Sequence, residues 1–251
     1  MGVNAVTAAR WVERWEDQQQ RYAVDREESF TVIADVVEHV TRGQAAPLVL
    51  DLGSGPGSLA ARLACRLPGA EVLAVDGDPL LLELGSTYYG AALRYVEAMI
   101  GAPGWLGALT LDRPVDAAVS TTALHYLDRA TLFRVYRELA GVLRPGGVLV
   151  NGDHMHPDSP KLSQLAADLG RRHAERHPGP ARDDWESWWS GAASDPELAR
   201  FLAQRGSHRH PACEGNDLTV SRHLDLLREA GFAHAGVVWQ HGLSHVLAAV
   251  R

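Results

Sequence analysis

The feature that most constrains this chain is a glycine-rich turn that follows a short apolar run. Leu48, Val49 and Leu50 precede the acid Asp51, and glycines then occupy positions 53, 55 and 57. Such a run is typical of a strand buried on both faces of a parallel sheet. Glycines at its end let the backbone turn sharply and approach a ligand closely. A helix predicted over 58–67 would point its free N–H groups into the turn, so the segment predicts a nucleotide-cofactor site.

The spacing of the glycines discriminates between cofactors. A dinucleotide-binding turn has the pattern G-x-G-x-x-G and holds a pyrophosphate at the helix N-terminus. Here the pattern is G-x-G-x-G, and the carboxylate of Asp51 would repel a diphosphate but suits the ammonium of an amino-acid group. No Lys-Ser/Thr pair follows the glycines, which excludes a P-loop.

This turn resembles the first motif of class I S-adenosylmethionine-dependent methyltransferases. The resemblance implies that S-adenosylmethionine is the cofactor and that the turn contacts it through Asp51, Gly53, Ser54, Gly55 and Gly57. In the same family, the third strand and its following turn contact the adenine, which here implies Met99 and Ile100. Family members often carry an acid where this chain has Met99, so backbone groups are expected to make more of that contact.

The predicted second strand supports the same cofactor. Residues 71–75 lead into Asp76, which stands 19 positions after Gly57, close to the ~20-residue offset of a ribose-binding acid in such folds. Asp76 is therefore predicted to accept hydrogen bonds from the ribose hydroxyls, with Gly77 beside it. Asp78, directly before Pro79, is predicted to cap the next helix.

Further segments follow in the family's order and define the predicted fold. Residues 114–120 resemble the fourth strand, and Thr121 and Thr122 open the loop that borders the methionine part of the cofactor in the family. Residues 143–150 resemble the fifth strand, and 227–250 the closing helix and hairpin. The predicted fold is a Rossmann-like, doubly wound α/β sheet of seven mostly parallel strands, with a terminal antiparallel hairpin and a helical lid insertion.

The predicted division places a helical cap over residues 1–43, the core over 44–153 and 218–251, and the lid over 154–217. In the cap, a helical pattern over 8–42 puts Trp11, Trp15 and Tyr22 on one face with Phe30, Ile33 and Val37. Tyr22 and Arg26 are candidates for closing over the cofactor; the alternative is that this face only packs on the sheet. In the lid, Trp185, Trp188 and Trp189 share one helix face, which forms either the roof of a substrate pocket or a small lid core.

Histidine is the first base to consider for the acceptor, because it titrates near neutrality. His154 is the leading candidate because it follows the fifth strand, ahead of His125, after the fourth strand, and His156. Asp153 is predicted to orient one of them or to contact substrate. The histidines expected at the surface or in the lid are His173, His177, His208, His210, His241 and His245. No metal site is predicted, because the His208/His210 pair lacks an evident third ligand.

Composition limits the classes of partner. Hydrophobic residues make up 46% and charged residues 22% of the chain, as in an ordinary soluble protein, and the formal charge of −7 disfavours nucleic-acid partners. No stretch approaches the ~18 apolar residues of a membrane span. Cys65 and Cys213 suggest neither a disulfide framework nor a metal site, which favours the cytoplasm. Oligomeric state is not predicted.

The sequence therefore favours methyl transfer to a small organic molecule, and bacterial specialised metabolism is the predicted setting. Three alternatives stay open. One is an S-adenosylmethionine enzyme with a non-methyl outcome, such as cyclase or aminopropyl chemistry. The others are a nicotinamide oxidoreductase, which Asp51 and the glycine spacing oppose, and a non-catalytic protein that only binds the cofactor.

Overall fold

The computed structural model describes residues 2–22, 25–176, 183–205 and 216–251, with the backbone alone at positions 21 and 22. Its strands form one seven-stranded sheet in the order β3-β2-β1-β4-β5-β7-β6. The strands β1 to β5 are parallel, and β7 is antiparallel to both β5 and β6. This sheet confirms the predicted fold class. The strands are β1 Leu48–Leu52, β2 Glu71–Asp76, β3 Arg94–Glu97, β4 Val115–Thr121, β5 Leu143–His154, β6 His234–His241 and β7 Ser244–Val250.

Helices cover both faces of the sheet, because alternate residues of each central strand point to opposite sides. Leu48, Leu50 and Leu52 of β1 pack on the side of α5, α6 and α10, whereas Val49 packs on the side of α2 and α3. No helix in the described ranges is both long and apolar enough to cross a membrane. The helices are α1 Ala5–Tyr22, α2 Arg26–Thr41, α3 Ser58–Arg66, α4 Pro79–Tyr89, α5 Trp105–Ala108, α6 Arg129–Val142, α7 Pro160–Arg176, α8 Trp185–Ala193, α9 Ala199–Arg205 and α10 Val220–Glu229.

The N-terminal region differs from the single apolar face that its helical pattern predicts. The chain forms two helices, and Asp25 between them has a left-handed backbone (φ 53, ψ 42), which ends any continuous helical face. Phe30 on α2 packs against the sheet, whereas Trp11 and Trp15 on α1 belong to a separate cluster. The prediction of one shared face is therefore wrong, because a break between the helices rotates one face away from the other.

The described part of the lid region forms the three helices α7, α8 and α9. α8 and α9 pack on α1 and α4 in a cluster that includes Trp188, Leu198 and Phe201. α7 instead packs on the β6–β7 hairpin, where the backbones of Gly170 and Gly242 come close together. Within the lid, α7 and the α8–α9 pair therefore pack on different parts of the core. The predicted division into cap, core and lid stays a prediction.

Candidate cofactor and acceptor site

The glycine-rich turn has the geometry of a close-approach loop. Gly53, Gly55 and Gly57 all have positive φ, at 71°, 56° and 100°. Gly53 N–H donates to the Val75 carbonyl of β2 at 2.8 Å, which ties the turn to the neighbouring strand. A Cβ added at Gly53 would lie 2.3 Å from Cβ of Ala123, so the loop after β4 packs directly on the turn. Glycine is thus required at position 53 both by backbone conformation and by space.

Asp51 is buried below this turn, and only one of its two carboxylate oxygens accepts a hydrogen bond from a described residue. Its Oδ2 accepts from the Ala60 N–H at 2.9 Å, while Oδ1 has no hydrogen-bond partner among the described residues. Burial raises the pKa of Asp51 to about 7, opposed by the Ala60 hydrogen bond and by Arg26 and reinforced by the charge of Asp76. A buried, unpartnered carboxylate oxygen is costly, and a bound cation would remove that cost.

Asp76 joins the end of β2 to the turn. Its Oδ2 accepts from the Gly55 N–H at 2.8 Å and its Oδ1 from the Asp78 N–H at 2.9 Å. Asp78 in turn caps α4, accepting from Leu80 N–H at 3.0 Å, which confirms the predicted cap. Asp76 thus holds the loop in shape, and its predicted ribose contact remains a prediction.

Two residues that sequence reasoning missed support the same turn from α4 and β3. A Cβ added at Gly85 would lie 2.0 Å from the Pro56 carbonyl oxygen, so α4 approaches the turn as only glycine allows. The hydroxyl of Tyr95 donates to that same oxygen at 3.0 Å. A lone glycine inside the leucine-rich α4 was the available signal, since such a glycine often marks a close approach.

The remaining predicted cofactor residues surround the turn. A Cβ added at Gly77 would lie 2.8 Å from Cε of Met99, so the turn after β3 closes against the end of β2. Met99 and Ile100 are both half-buried. Thr122 has a left-handed backbone (φ 48), and its N–H donates to the Gly152 carbonyl at 2.9 Å, while Thr121 pairs with Gly152 in the sheet.

Trp15 of α1 covers the turn from above. A Cβ added at Gly55 would lie 3.3 Å from the Trp15 ring, whose centroid is 5.1 Å from that of Trp188. Trp188 is fully buried between α8 and α1, whereas the side chain of Trp185 is 41% exposed. The ring of Trp189 stacks under Arg205, with 3.7 Å from Cζ to the ring centroid. The three lid tryptophans thus pack α8 against its neighbours, and their predicted substrate contacts stay predictions.

Arg26, the first residue of α2, lies close to Asp51. The side chain is buried and pairs with Glu16 of α1 at 2.6 Å. Burial opposes ionisation of Glu16, but Arg26 and Arg62 outweigh it and lower the pKa of Glu16. Arg26 therefore contributes positive charge beside the turn and joins α2 to α1. The side chain of Tyr22, the other predicted gate residue, lies outside the described residues.

The end of β5 carries a His–Asp pair. Nδ1 of His125 lies 2.7 Å from Oδ1 of Asp153, and their side chains are 31% and 2% exposed. Burial would lower the pKa of His125, but the hydrogen bond and charge of Asp153 outweigh it, so this pKa is raised. With Nδ1 held by the carboxylate, Nε2 is the ring nitrogen left for another partner.

The other two candidate bases have different surroundings. His154 is exposed, and its backbone N–H donates to Asp153 Oδ1 at 2.9 Å. Because neighbouring strand residues point to opposite faces, the side chain of His154 lies on the face of the sheet opposite to Asp153. His156 is exposed, with Nδ1 2.7 Å from Oγ of Ser163 on α7. The structure therefore brings the ring of His125 to the carboxylate of Asp153.

Behind Asp153 lies a set of buried polar groups that the sequence did not indicate. The hydroxyl of Tyr136 and Nδ1 of His223 are 3.1 Å apart, and burial lowers the pKa of His223 to about 4. The side chain of Asn151 is also buried here and lies beside the hydroxyl of Tyr136. His245 is 3% exposed in β7, so its predicted surface or lid location is wrong: the strand turns it inward, and Nδ1 lies 2.8 Å from the Leu243 carbonyl.

Comparison with known proteins assigns this geometry to a family. Residues 49–147 match the family model of a methyltransferase domain. A trans-aconitate 2-methyltransferase of Methylobacterium radiotolerans is 31% identical over 206 residues, which are 82% of this chain and 64% of that protein. A trans-aconitate 2-methyltransferase of Streptomyces coelicolor is 34% identical over 147 residues, 55% of this chain and 45% of that protein. The chain thus spans less than two thirds of either relative's length.

Residues 49–147 of this chain form a methyltransferase domain of the class I, S-adenosylmethionine-dependent type. A solved structure of the same fold is human N-acetylserotonin methyltransferase in complex with S-adenosylmethionine. It superposes with a TM-score of 0.56 and 16% identity over 96% of this chain and 56% of that chain. At this identity the likeness shows the shared fold alone. The glycine-rich turn at residues 53–57 lies within the segment that matches the family model.

Proposed function

We propose that this methyltransferase domain binds S-adenosylmethionine over the Gly53–Gly57 turn and methylates an oxygen of a small organic acceptor. The observation that carries the proposal is the contact between Ala123 and Gly53, which links the cofactor turn to the loop that bears His125. A cofactor seated on the turn and an acceptor beside His125 would then be neighbours. Holding the two reactants close together in the correct relative orientation can by itself supply much of the rate acceleration.

The chain's residues fit the cofactor in charge and shape. The unpartnered Oδ1 of Asp51 suits an ammonium group, and Asp76 at the end of β2 suits a ribose diol. We assign the adenine edge to Met99, Ile100 and Gly77, and the methionine part to Thr121, Thr122 and Ser54. Trp15 and Arg26 cover the turn, with Tyr22 retained as a cap candidate. When bound, the cofactor supplies a methyl group activated by a positively charged sulfur.

We assign the acceptor side to His125, with Asp153 as its positioning residue. Asp153 holds Nδ1, so Nε2 can take the proton of an acceptor hydroxyl, or, when the ring is protonated, donate to an acceptor carboxylate. The raised pKa of His125 increases the protonated fraction near neutrality. Since two relatives are named for trans-aconitate, organic acids are the first acceptors to test. His154 and His156 remain secondary candidates on the acceptor side.

The direct test is incubation with methyl-labelled S-adenosylmethionine and a panel of small organic acids and alcohols. Label in a methylated product, with release of S-adenosylhomocysteine, supports the proposal. Label that stays on a cleaved sulfur fragment indicates the non-methyl alternative. Tight cofactor binding without turnover indicates a binding protein, and preferential binding of a nicotinamide cofactor in calorimetry indicates an oxidoreductase.

The pH dependence separates the two roles of His125. If Nε2 acts as a base, kcat rises with pH as the ring loses its proton, since only the neutral ring can accept one. If the protonated ring binds an acceptor carboxylate, KM instead rises with pH while kcat changes little. Asp153→Asn should move either profile to lower pH, because it removes the charge that raises the pKa of His125.

The setting of this protein in the cytoplasm and in specialised metabolism stays a prediction.

A further inference from the structure

A second cluster of ligand-type side chains lies away from the cofactor turn. It contains Asp25 between α1 and α2, His173 on α7 and His241 at the end of β6. Nε2 of His173 lies 3.1 Å from Oδ1 of Asp25, and Nδ1 of His241 contacts Oδ2 of the same carboxylate. One ligand atom from each residue lies within 4.8 Å of the others. The cluster therefore places two imidazole nitrogens and one carboxylate oxygen close enough together to bind a single ion.

The fold builds this cluster from three separate elements. The close approach of Gly170 and Gly242 seats α7 on the hairpin, with 3.2 Å between an added Cβ at Gly242 and Cα of Gly170. His173 follows Gly170 by about one helical turn, and His241 directly precedes Gly242, so the two rings meet with centroids 4.5 Å apart. The small residues at this crossing thus determine the separation of the two imidazoles.

Asp25 is positioned for a role other than helix capping. It stands at the N-cap of α2, where aspartate normally accepts from the first backbone N–H groups. Here its side chain makes no capping hydrogen bond, and its backbone is left-handed (φ 53), a conformation uncommon outside glycine. Its carboxylate contacts both imidazoles instead. Strained backbone of this kind concentrates at ligand-binding positions.

We propose that Asp25, His173 and His241 bind one divalent transition metal ion, with zinc as the expected occupant. Two imidazoles and one carboxylate are a common three-residue zinc ligand set, in which water or a ligand takes the fourth position. The side chains are 23–29% exposed, so an ion has access from solvent. The bound ion fastens α7 and the α1–α2 corner to the sheet. This site is independent of the methyltransferase assignment.

Calorimetric titration of the metal-free full chain with zinc chloride tests the site directly. The expected stoichiometry is one ion per chain, with weaker binding at acidic pH, where imidazoles are protonated. When Co²⁺ replaces zinc, the visible absorption spectrum should be typical of four- or five-coordinate cobalt. Zinc at 100 times its Kd should raise Tm by about 5–10 °C. Absence of binding, or a cobalt spectrum typical of six water ligands, overturns the proposal.

Variants locate the ion. His241→Ala, His173→Ala and Asp25→Asn should each raise the Kd for zinc at least about 100-fold, since even outer-shell changes cost 10–100-fold. The matched control is His234→Ala, because His234 is exposed on the same strand as His241. Asp25→Asn keeps the size of the side chain, and circular dichroism shows whether each variant folds. Zinc binding that survives the three variants, or that His234→Ala abolishes, refutes the assignment.

Discussion

The glycine-rich turn and the proposed acceptor side of this methyltransferase domain are built in opposite ways. The turn itself comes from one contiguous segment, with Asp51 and Gly53 two positions apart. The proposed acceptor side instead combines His125 from the loop after β4 with Asp153 from β5, and the buried pair Tyr136 and His223 from α6 and α10 lies behind them. Local sequence therefore reveals a site of the first kind, whereas a site of the second kind emerges only when distant elements pack together.

The sharpest test of the acceptor side replaces His125. His125→Ala should lower kcat by about 10²–10⁴-fold, the usual contribution of a general base, with little change in cofactor affinity. His154→Ala serves as the comparison, because the ring of His154 lies on the other face of β5, and we expect a smaller loss of kcat. Turnover that depends on His154 and not on His125 would reverse our assignment and restore the ranking that sequence position favours.

The corresponding test of the turn is Gly53→Ala. The added Cβ would clash with Ala123 at 2.3 Å in a backbone with φ 71, so we expect at least about a 100-fold loss of cofactor affinity, or more than 2–3 kcal/mol. Gly43→Ala is the matched control: Gly43 also has positive φ (85°), but an added Cβ meets no described atom within 4 Å. Similar losses of affinity in both variants would show that backbone strain, and not the Ala123 contact, determines the effect.

Asp76→Asn should weaken cofactor binding by about 10–100-fold, because hydrogen bonds to a charged acceptor contribute about 1.5–3 kcal/mol. The amide keeps one acceptor oxygen for Gly55 or Asp78, so the loss should be smaller than in Asp76→Ala. Calorimetry with S-adenosylhomocysteine measures both. If cofactor affinity equals that of the unmodified chain, Asp76 does not bind the cofactor, and its role is to hold the loop in shape through its hydrogen bonds to Gly55 and Asp78.

Asp51→Asn should have opposite effects on binding and stability. Losing the carboxylate should weaken cofactor affinity by about tenfold, the loss of one charged hydrogen bond. The folded pKa of about 7 lies above the ordinary 3.8, so the folded state holds a proton that the unfolded chain has lost. Stability therefore falls as pH rises from about 4 to 7 and stays low above that range.

The stability half of that prediction is checked by thermal unfolding without cofactor. At pH 8 the Asn variant should have a Tm higher by about 3 °C or more, since 1 kcal/mol shifts a chain of this size by about 2–4 °C. At pH 4, where Asp51 is protonated when folded, the two proteins should differ little. A lower Tm for the variant at pH 8 would show that an ionised Asp51 stabilises the empty site.

Sequence patterns predicted the core closely for a physical reason. In β1, β2 and β4 the apolar runs and the polar residue that ends them are local properties, so strand ends such as Leu52 and Asp76 agree with the structure to within a residue or two. The prediction for β5 is wrong at its end: the strand continues four residues past 150 and includes His154, because pairing with β7 extends it. The N-terminal region shows where this fails: a helical pattern continues through Asp25, but the backbone does not. Periodicity records which residues can share a face and not whether one helix or two present them.

What the sequence alone determined is the strand–turn–helix at residues 48–66 and its cofactor class, because both depend on residues within a few positions of one another. What only the tertiary structure decided is which histidine meets Asp153, that Trp15 covers the turn, and that Asp25, His173 and His241 converge. Those contacts join residues up to 216 positions apart, and they depend on how helices pack on the sheet. Alternation along β5 then separates His154 from Asp153, a distinction that sequence position alone does not make.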